Sequence, residues 1–146
     1  MKALILVALV VTLASVVVAQ KQTETTAPDK TIEVLSNTEG VNFGPYLSTV
    51  LQKVRENWYK LIPIEARAPE NKQGTVSIEF AILRTGKVAG MKLVGPSGDI
   101  AMDRAAWGGI TASVPFDPLP GEYTKPYLAL RFHFYYNPSK KPAGAK

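Results

Sequence analysis

The feature that most constrains the fold is a stretch near the end of the chain, Tyr127 to Tyr136, in which every second side chain is strongly apolar. This period of two is the pattern of a β-strand with one buried face and one open face. One face carries Leu128, Leu130, Phe132, Phe134 and Tyr136, and the other carries Tyr127, Ala129, Arg131, His133 and Tyr135. The fold must therefore contain a sheet that is covered on one side.

Two further strands are predicted earlier in the chain. Gly74 to Leu83 alternates in the same way, with apolar residues at every second position. The segment Arg84-Thr85-Gly86-Lys87 predicts a hairpin turn, in which Gly86 takes a positive φ. Val88 to Val94 then returns as the second strand, and the segment Gly95-Pro96-Ser97-Gly98 ends it.

Two helices are predicted around these strands. The first opens at Gly44-Pro45, because proline is tolerated in the first turn of a helix, and it ends near Tyr59. Its apolar face carries Leu47, Val50, Leu51, Val54 and Trp58. The second helix begins near Asp99, and the carboxylates of Asp99 and Asp103 complement the dipole of its first turns.

The order α-β-β-α-β predicts an α+β domain with a three-stranded antiparallel sheet of strand order 2-1-3. A helix joins the second and third strands, so these two run in the same direction and the first strand fits between them. The right-handed crossover rule then places both helices on one face of the sheet. In this arrangement the third strand lies at an edge.

The start of the chain has the layout of a secretory signal peptide. Lys2 is followed by an apolar run from Ala3 to Val18, and small residues before Ala19 predict cleavage after that residue. The alternative is an uncleaved anchor, although the run is slightly shorter than the ~20 residues that span a bilayer. We assign residues 1–19 to the signal peptide, 20–40 to a linker with a short strand at Thr31–Leu35, 41–137 to the folded domain and 138–146 to a disordered basic tail.

The sequence offers no constellation for catalysis or metal binding. The chain has no cysteine, which excludes disulfides and cysteine nucleophiles, and His133 is its one histidine. Asp99 and Asp103 have a sufficient role at the start of a helix. No glycine-rich phosphate loop and no cluster of His and Glu appears. We therefore predict a protein that is not an enzyme and that binds no cofactor or metal.

The predicted edge strand is the best candidate for a partner-binding site. Without Lys2 the chain has 16 basic and 12 acidic residues, a net charge that favours anionic partners weakly, and export argues against nucleic acid. An edge strand can pair with an extended peptide through its main chain. The side chains that would set the register are Tyr127, Ala129, Arg131, His133 and Tyr135. The alternative is that the tail, the N-terminal segment or a second copy of the domain covers this edge.

Several short segments between about Pro45 and Asn137 form an ordered set. They are Trp58 with Pro63, Gly74 to Ile82, Gly86-Lys87-Val88, Ser97-Gly98, Asp103 to Ala106, Pro115 to Pro120, and Leu130 to Phe134. Taken in this order, they resemble the C-terminal domain of TonB-family energy transducers, and the TolA C-terminal domain shares the same architecture.

The resemblance implies a periplasmic domain that adds a strand from an outer-membrane transporter to its sheet, with Tyr127 to Tyr136 as the pairing strand. The short linker, and an N-terminal segment without histidine, differ from the complete transducers. We therefore expect a free periplasmic binding protein. Two alternatives are a short transducer anchored in the inner membrane and facing the periplasm, and a structural envelope protein that self-associates as a homodimer.

Overall fold

The computed structural model describes residues 31–138. A 3-10 turn at Ile64–Ala66 lies between the first helix and the second strand. The elements, in chain order, are β1 (Ile32–Val34), α1 (Gly44–Leu61), β2 (Gly74–Leu83), β3 (Val88–Gly95), α2 (Ile100–Thr111) and β4 (Tyr127–Tyr136).

The sheet is antiparallel and has four strands in the order β1-β4-β2-β3. The three long strands have the predicted relative order, because β2 lies between β3 and β4. The prediction of a three-stranded sheet is wrong, since β1 adds a fourth strand on the outer side of β4. It comes from the segment assigned to the linker, where only a short strand was predicted. Its pairing covers main-chain amides and carbonyls that β4 would otherwise expose at the edge of the sheet.

Both helices cover one face of the sheet, as predicted. The buried residues of α1 are Leu47, Val50, Val54 and Trp58, and those of α2 are Met102, Ala105, Ala106, Gly109 and Ile110. The two helices approach closely, because a Cβ on Gly109 would lie only 2.8 Å from the Cβ of Trp58. This contact explains why the middle of α2 is built from small residues.

α2 begins next to Asp99, as the sequence predicts, and the side chain of Asp99 caps it. The carboxylate of Asp99 accepts hydrogen bonds from the backbone N–H groups of Ala101 and Met102, at 2.9 and 3.2 Å. A hydrogen bond with Lys72 and these backbone bonds hold the pKa of Asp99 below its ordinary value. Asp103 accepts from the backbone N–H of Ser97 at 2.9 Å.

The hairpin between β2 and β3 supports the proline-rich segment that follows α2. Leu83 donates its N–H to the carbonyl of Lys87, and Gly86 has a φ of +89°. Phe116 donates its N–H to the carbonyl of Gly86 at 2.9 Å. A Cβ on Gly86 would lie 1.9 Å from the Phe116 carbonyl oxygen, so only glycine fits this turn.

Several predictions concern residues outside the described range. These are the signal peptide at residues 1–19, its cleavage after Ala19, the first part of the linker and the tail from residue 139 onward. Within residues 31–138, no helix is long and apolar enough to cross a membrane.

Candidate functional site

The outer edge of β4, which we call the β4 edge, is occupied by β1. Ile32, Glu33 and Val34 lie opposite Phe132, Arg131 and Leu130, respectively. Beyond this register, Leu35 donates its N–H to the carbonyl of Ala129 at 2.9 Å, and His133 donates its N–H to the carbonyl of Thr31 at 2.8 Å. The position of β4 as an edge strand, expected from a three-stranded sheet, is therefore wrong, and the N-terminal segment covers it.

All five side chains predicted to bind a partner lie on the open face of the sheet, away from the helices. Ala129, Arg131 and His133 lie beside β1. Tyr127 and Tyr135 lie past the two ends of this pairing and are 49% and 39% exposed. The structure thus brings the predicted residues together on one strand, but it places the middle three against a segment of the same chain.

A row of alternating charges crosses the open face at the level of Arg131. Its members, which we call the charged row, come from β1, β4, β2 and β3 and are Glu33, Arg131, Glu79 and Lys92. The guanidinium of Arg131 donates to the carboxylate of Glu33 at 3.1 Å and to that of Glu79 at 3.0 Å. The bond to Glu79, with the charge of Glu33, raises the pKa of Arg131. Opposite charges at directly facing positions stabilise strand pairing.

His133 adds a second link between β1 and the rest of the sheet. Its Nδ1 lies 2.7 Å from the hydroxyl of Ser77 on β2, and its Nε2 lies 3.4 Å from the carboxylate of Glu33. The hydrogen bond with His133, assisted by the charge of Arg131, holds the pKa of Glu33 below its ordinary value. Glu33 therefore faces two basic side chains of β4.

The apolar side chains of β1 fasten it to the core. Ile32 is fully buried, and Val34 packs against the core while remaining partly exposed. The strand then ends abruptly, because the backbone N–H of Ala129 donates to the hydroxyl of Ser36 at 2.9 Å. In a longer strand, a main-chain carbonyl would take the place of this hydroxyl.

Two grooves lie along β4, one at each end of β1. The first, about 290 Å³, lies between α1 and the end of β4 and is lined in part by Leu51, Arg55, Tyr59, His133 and Tyr135. The second, about 420 Å³, begins where β1 ends and is lined by residues 35–37, 125–127 and Ala129. The described residues thus border a groove beside β4 at each end of β1.

The opposite edge of the sheet is poorly shaped for strand pairing. Among residues 31–138, β3 pairs with β2 alone, and the register between them shifts twice. Gly90, with a φ of +63°, lies in one of these irregular regions. Irregularities and lysines such as Lys87 and Lys92 are features that protect exposed edges from pairing.

The sequence missed Glu33, Ser77 and Glu79 as parts of this site. Glu79 and Ser77 could have been found from the alternation of β2, which places them on the same face as Arg131 and His133. Glu33 lies between two β-branched apolar residues, which is a weak strand signal. In the part of the chain described by the structure, no three His, Asp, Glu or Cys side chains are grouped so as to hold a metal ion.

Comparisons with known proteins agree with this fold. A family model described as TonB C terminal matches residues 43–134. Among solved structures, the chain is similar to the NMR solution structure of the TonB C-terminal domain of Helicobacter pylori, with a TM-score of 0.51. The two are 19% identical, and the similarity covers 70% of this chain and 88% of that one. No curated protein sequence matches this chain significantly.

Proposed function

Since the chain belongs to the TonB C-terminal family, we propose that it is a protein-binding domain that docks an extended segment of a cell-envelope protein by strand addition at the β4 edge. Domains of this family interact with envelope transporters and act in the periplasm. They serve protein interaction and energy transduction, which supports a role for this chain in binding without catalysis.

One observation carries the proposal: the β4 edge already holds an added strand. β1 is only three residues long and comes from outside the helix-and-hairpin unit that forms the rest of the domain. It pairs with β4 through main-chain hydrogen bonds at Ala129 and His133. Main-chain bonds of this kind give affinity in strand addition, and the side chains give the register.

The space around β1 supports replacement by a longer strand. A partner strand in the same direction as β1 would pass from the groove near Tyr135 to the groove near Tyr127. A main-chain carbonyl of that partner could accept from the N–H of Ala129, which in β1 donates to the hydroxyl of Ser36. A longer partner can therefore form more pairing bonds than β1 does.

We propose that the protein is exported, with residues 1–19 as its signal peptide and Ala19 as the last residue removed. It would then act as a free periplasmic protein. The alternative, in which residues 1–19 remain as an inner-membrane anchor, gives the same domain the position of a short energy transducer. The N-terminal residue of the mature protein distinguishes these two forms.

A reversible lock on β1 tests the docking site. The chain has no cysteine, so the double variant Leu35→Cys/Ala129→Cys can form a single disulfide between directly facing positions. A photo-reactive residue in place of Tyr135, in the cells that make the protein, reports what lies beside β4. The matched control is Ala129→Cys alone, which carries one cysteine and cannot be locked.

We expect the single-cysteine control to form an adduct with an outer-membrane or other envelope protein, and the locked variant to lose it. Treatment of the purified locked variant with a reductant should restore binding. An adduct that persists in the locked variant would show that docking occurs away from the β4 edge. An adduct only with a second copy of this chain would indicate self-association.

A further inference from the structure

β1 occupies the place that a partner strand would take, so its side chains show what the β4 edge accepts. Ile32 lies opposite Phe132 and is fully buried, and Val34 lies opposite Leu130 and packs on the core. Glu33 lies between them on the open face, beside Arg131. The edge thus receives an apolar, an acidic and an apolar side chain in sequence.

Arg131 is the residue of β4 that lies directly opposite the middle position. Its guanidinium contacts Glu79, which belongs to the neighbouring central strand and stays in place when β1 leaves. Its other contact, with Glu33, is lost at the same time. An acidic side chain on an incoming strand would complete the charged row, whereas a basic one would lie directly opposite a cation, which destabilises strand pairing.

We infer that the partner segment carries a triplet of an apolar, an acidic and an apolar residue that replaces Ile32, Glu33 and Val34, and that β1 is the internal competitor of that segment. This inference rests on the proposed strand addition. It identifies the chemical class of the partner: an extended peptide with one carboxylate in register with Arg131 and aliphatic neighbours directed into the core.

The competition between β1 and an external strand should change the affinity that is measured for that strand. A segment tethered to its own binding site acts at an effective concentration of roughly millimolar. β1 therefore weakens the apparent affinity for any external strand, and a change that loosens β1 without altering β4 should strengthen external binding. Glu33→Lys is such a change, because Glu33 is on the exposed face of β1 and its replacement puts a cation beside Arg131.

The experiment measures peptide binding to the full chain. The probe is a synthetic peptide that copies residues 28–37, with Glu, Gln or Lys at the position of residue 33. The receptor is the native chain or the Glu33→Lys chain, and the readout is fluorescence anisotropy. We expect the Glu33→Lys chain to bind the Glu peptide more tightly than the native chain does. On that chain, the Glu peptide should bind roughly three- to tenfold more tightly than the Lys peptide.

Two substitutions made in the Glu33→Lys chain assign the preference to one side chain. Arg131→Gln should reduce the difference between the Glu and Lys peptides to less than about twofold. Lys92→Gln is the matched control, because Lys92 is a cation of the same charged row but lies on β3, at the far side of the sheet. It should leave the preference unchanged.

The outcomes separate the inference from the function on which it rests. Equal binding of the Glu and Lys peptides would overturn the acidic triplet and leave strand addition standing. A preference that survives Arg131→Gln would overturn the role of Arg131. If no peptide binds the Glu33→Lys chain, strand addition at the β4 edge is itself overturned, and the triplet with it.

Discussion

Trp58 donates its indole N–H to the hydroxyl of Tyr136 at 2.8 Å, and this bond ties the end of β4 to α1. The same hydroxyl donates to the carbonyl of Met102 at 2.7 Å, which adds α2 to the junction. The rings of Trp58 and Phe134 pack edge to face at 5.3 Å. β4 is therefore fixed to both helices from beneath, independently of the strand that lies on its outer edge.

Removal of the Tyr136 hydroxyl should destabilise the fold. Tyr136→Phe leaves the buried N–H of Trp58 and the carbonyl of Met102 without this partner, a loss of about 1–3 kcal/mol. Chemical denaturation measures the change in the free energy of unfolding. Tyr135→Phe is the control, since that exposed neighbour points to the open face, and its effect should stay within about 0.5 kcal/mol. Equal effects would mean that the buried bond contributes nothing specific.

Alkaline pH should weaken the fold through the same phenol. Burial raises the pKa of Tyr136 to about 12, whereas an unfolded tyrosine ionises near pH 10. Above about pH 10 the unfolded state loses this proton while the folded state retains it, so stability falls by up to about 1.4 kcal/mol per pH unit until about pH 12. Denaturation at pH 9, 10 and 11 measures the slope, which should be smaller in Tyr136→Phe. An unchanged slope would exclude Tyr136 as its source.

Acid should release β1 before it unfolds the domain. The pKa of Glu33 is lowered in the folded state, so its contribution is fully present above the ordinary glutamate pKa of about 4.3 and is lost as the pH falls through the lowered value. Hydrogen exchange at the amides of Leu35 and His133, which bond across β1 and β4, reports the release. In Glu33→Gln this pH dependence should disappear. Protection that falls equally across β2 would instead indicate global unfolding.

A proline at Ala129 should separate docking from folding. The N–H that it removes bonds only to the hydroxyl of Ser36, at 2.9 Å, so the loss of stability should be about 1 kcal/mol. Binding of the peptide copying residues 28–37 should be abolished. The contrasting variant is Ala81→Pro, at the directly facing position of the central strand, where a proline should prevent folding. Undiminished peptide binding by Ala129→Pro would refute the β4 edge as the docking site.

The parts of the fold that depend on local patterns were predictable. The alternation of Tyr127 to Tyr136 gave β4 and its two faces, Gly86 marked the hairpin, and Asp99 marked the start of α2. β1 was harder to place, because three residues carry too little periodicity to show which strand they join. Its pairing joins Glu33 to Arg131, nearly a hundred positions away in the chain.

The candidate site was predictable in position but not in its interactions. The side chains of β4 were assigned to the correct face, since that follows from the pleat of a strand. The contacts of Arg131 with Glu33 and Glu79 depend on the register of three strands, which is set by tertiary packing. A single sequence contains no local signal for that register.

The attachment of β1 also decides at which residue the described part of the chain is first held to the sheet. While β1 is paired, the chain is held to β4 at Thr31, whose carbonyl accepts from the N–H of His133. When another strand takes its place, the next attachment along the chain is Glu39, whose carboxylate accepts hydrogen bonds from the N–H and the hydroxyl of Thr124. The eight residues from Thr31 to Thr38 then become spacer, with a full extension of roughly 27 Å. Docking would thus add the released residues to the length of chain that leads into the domain.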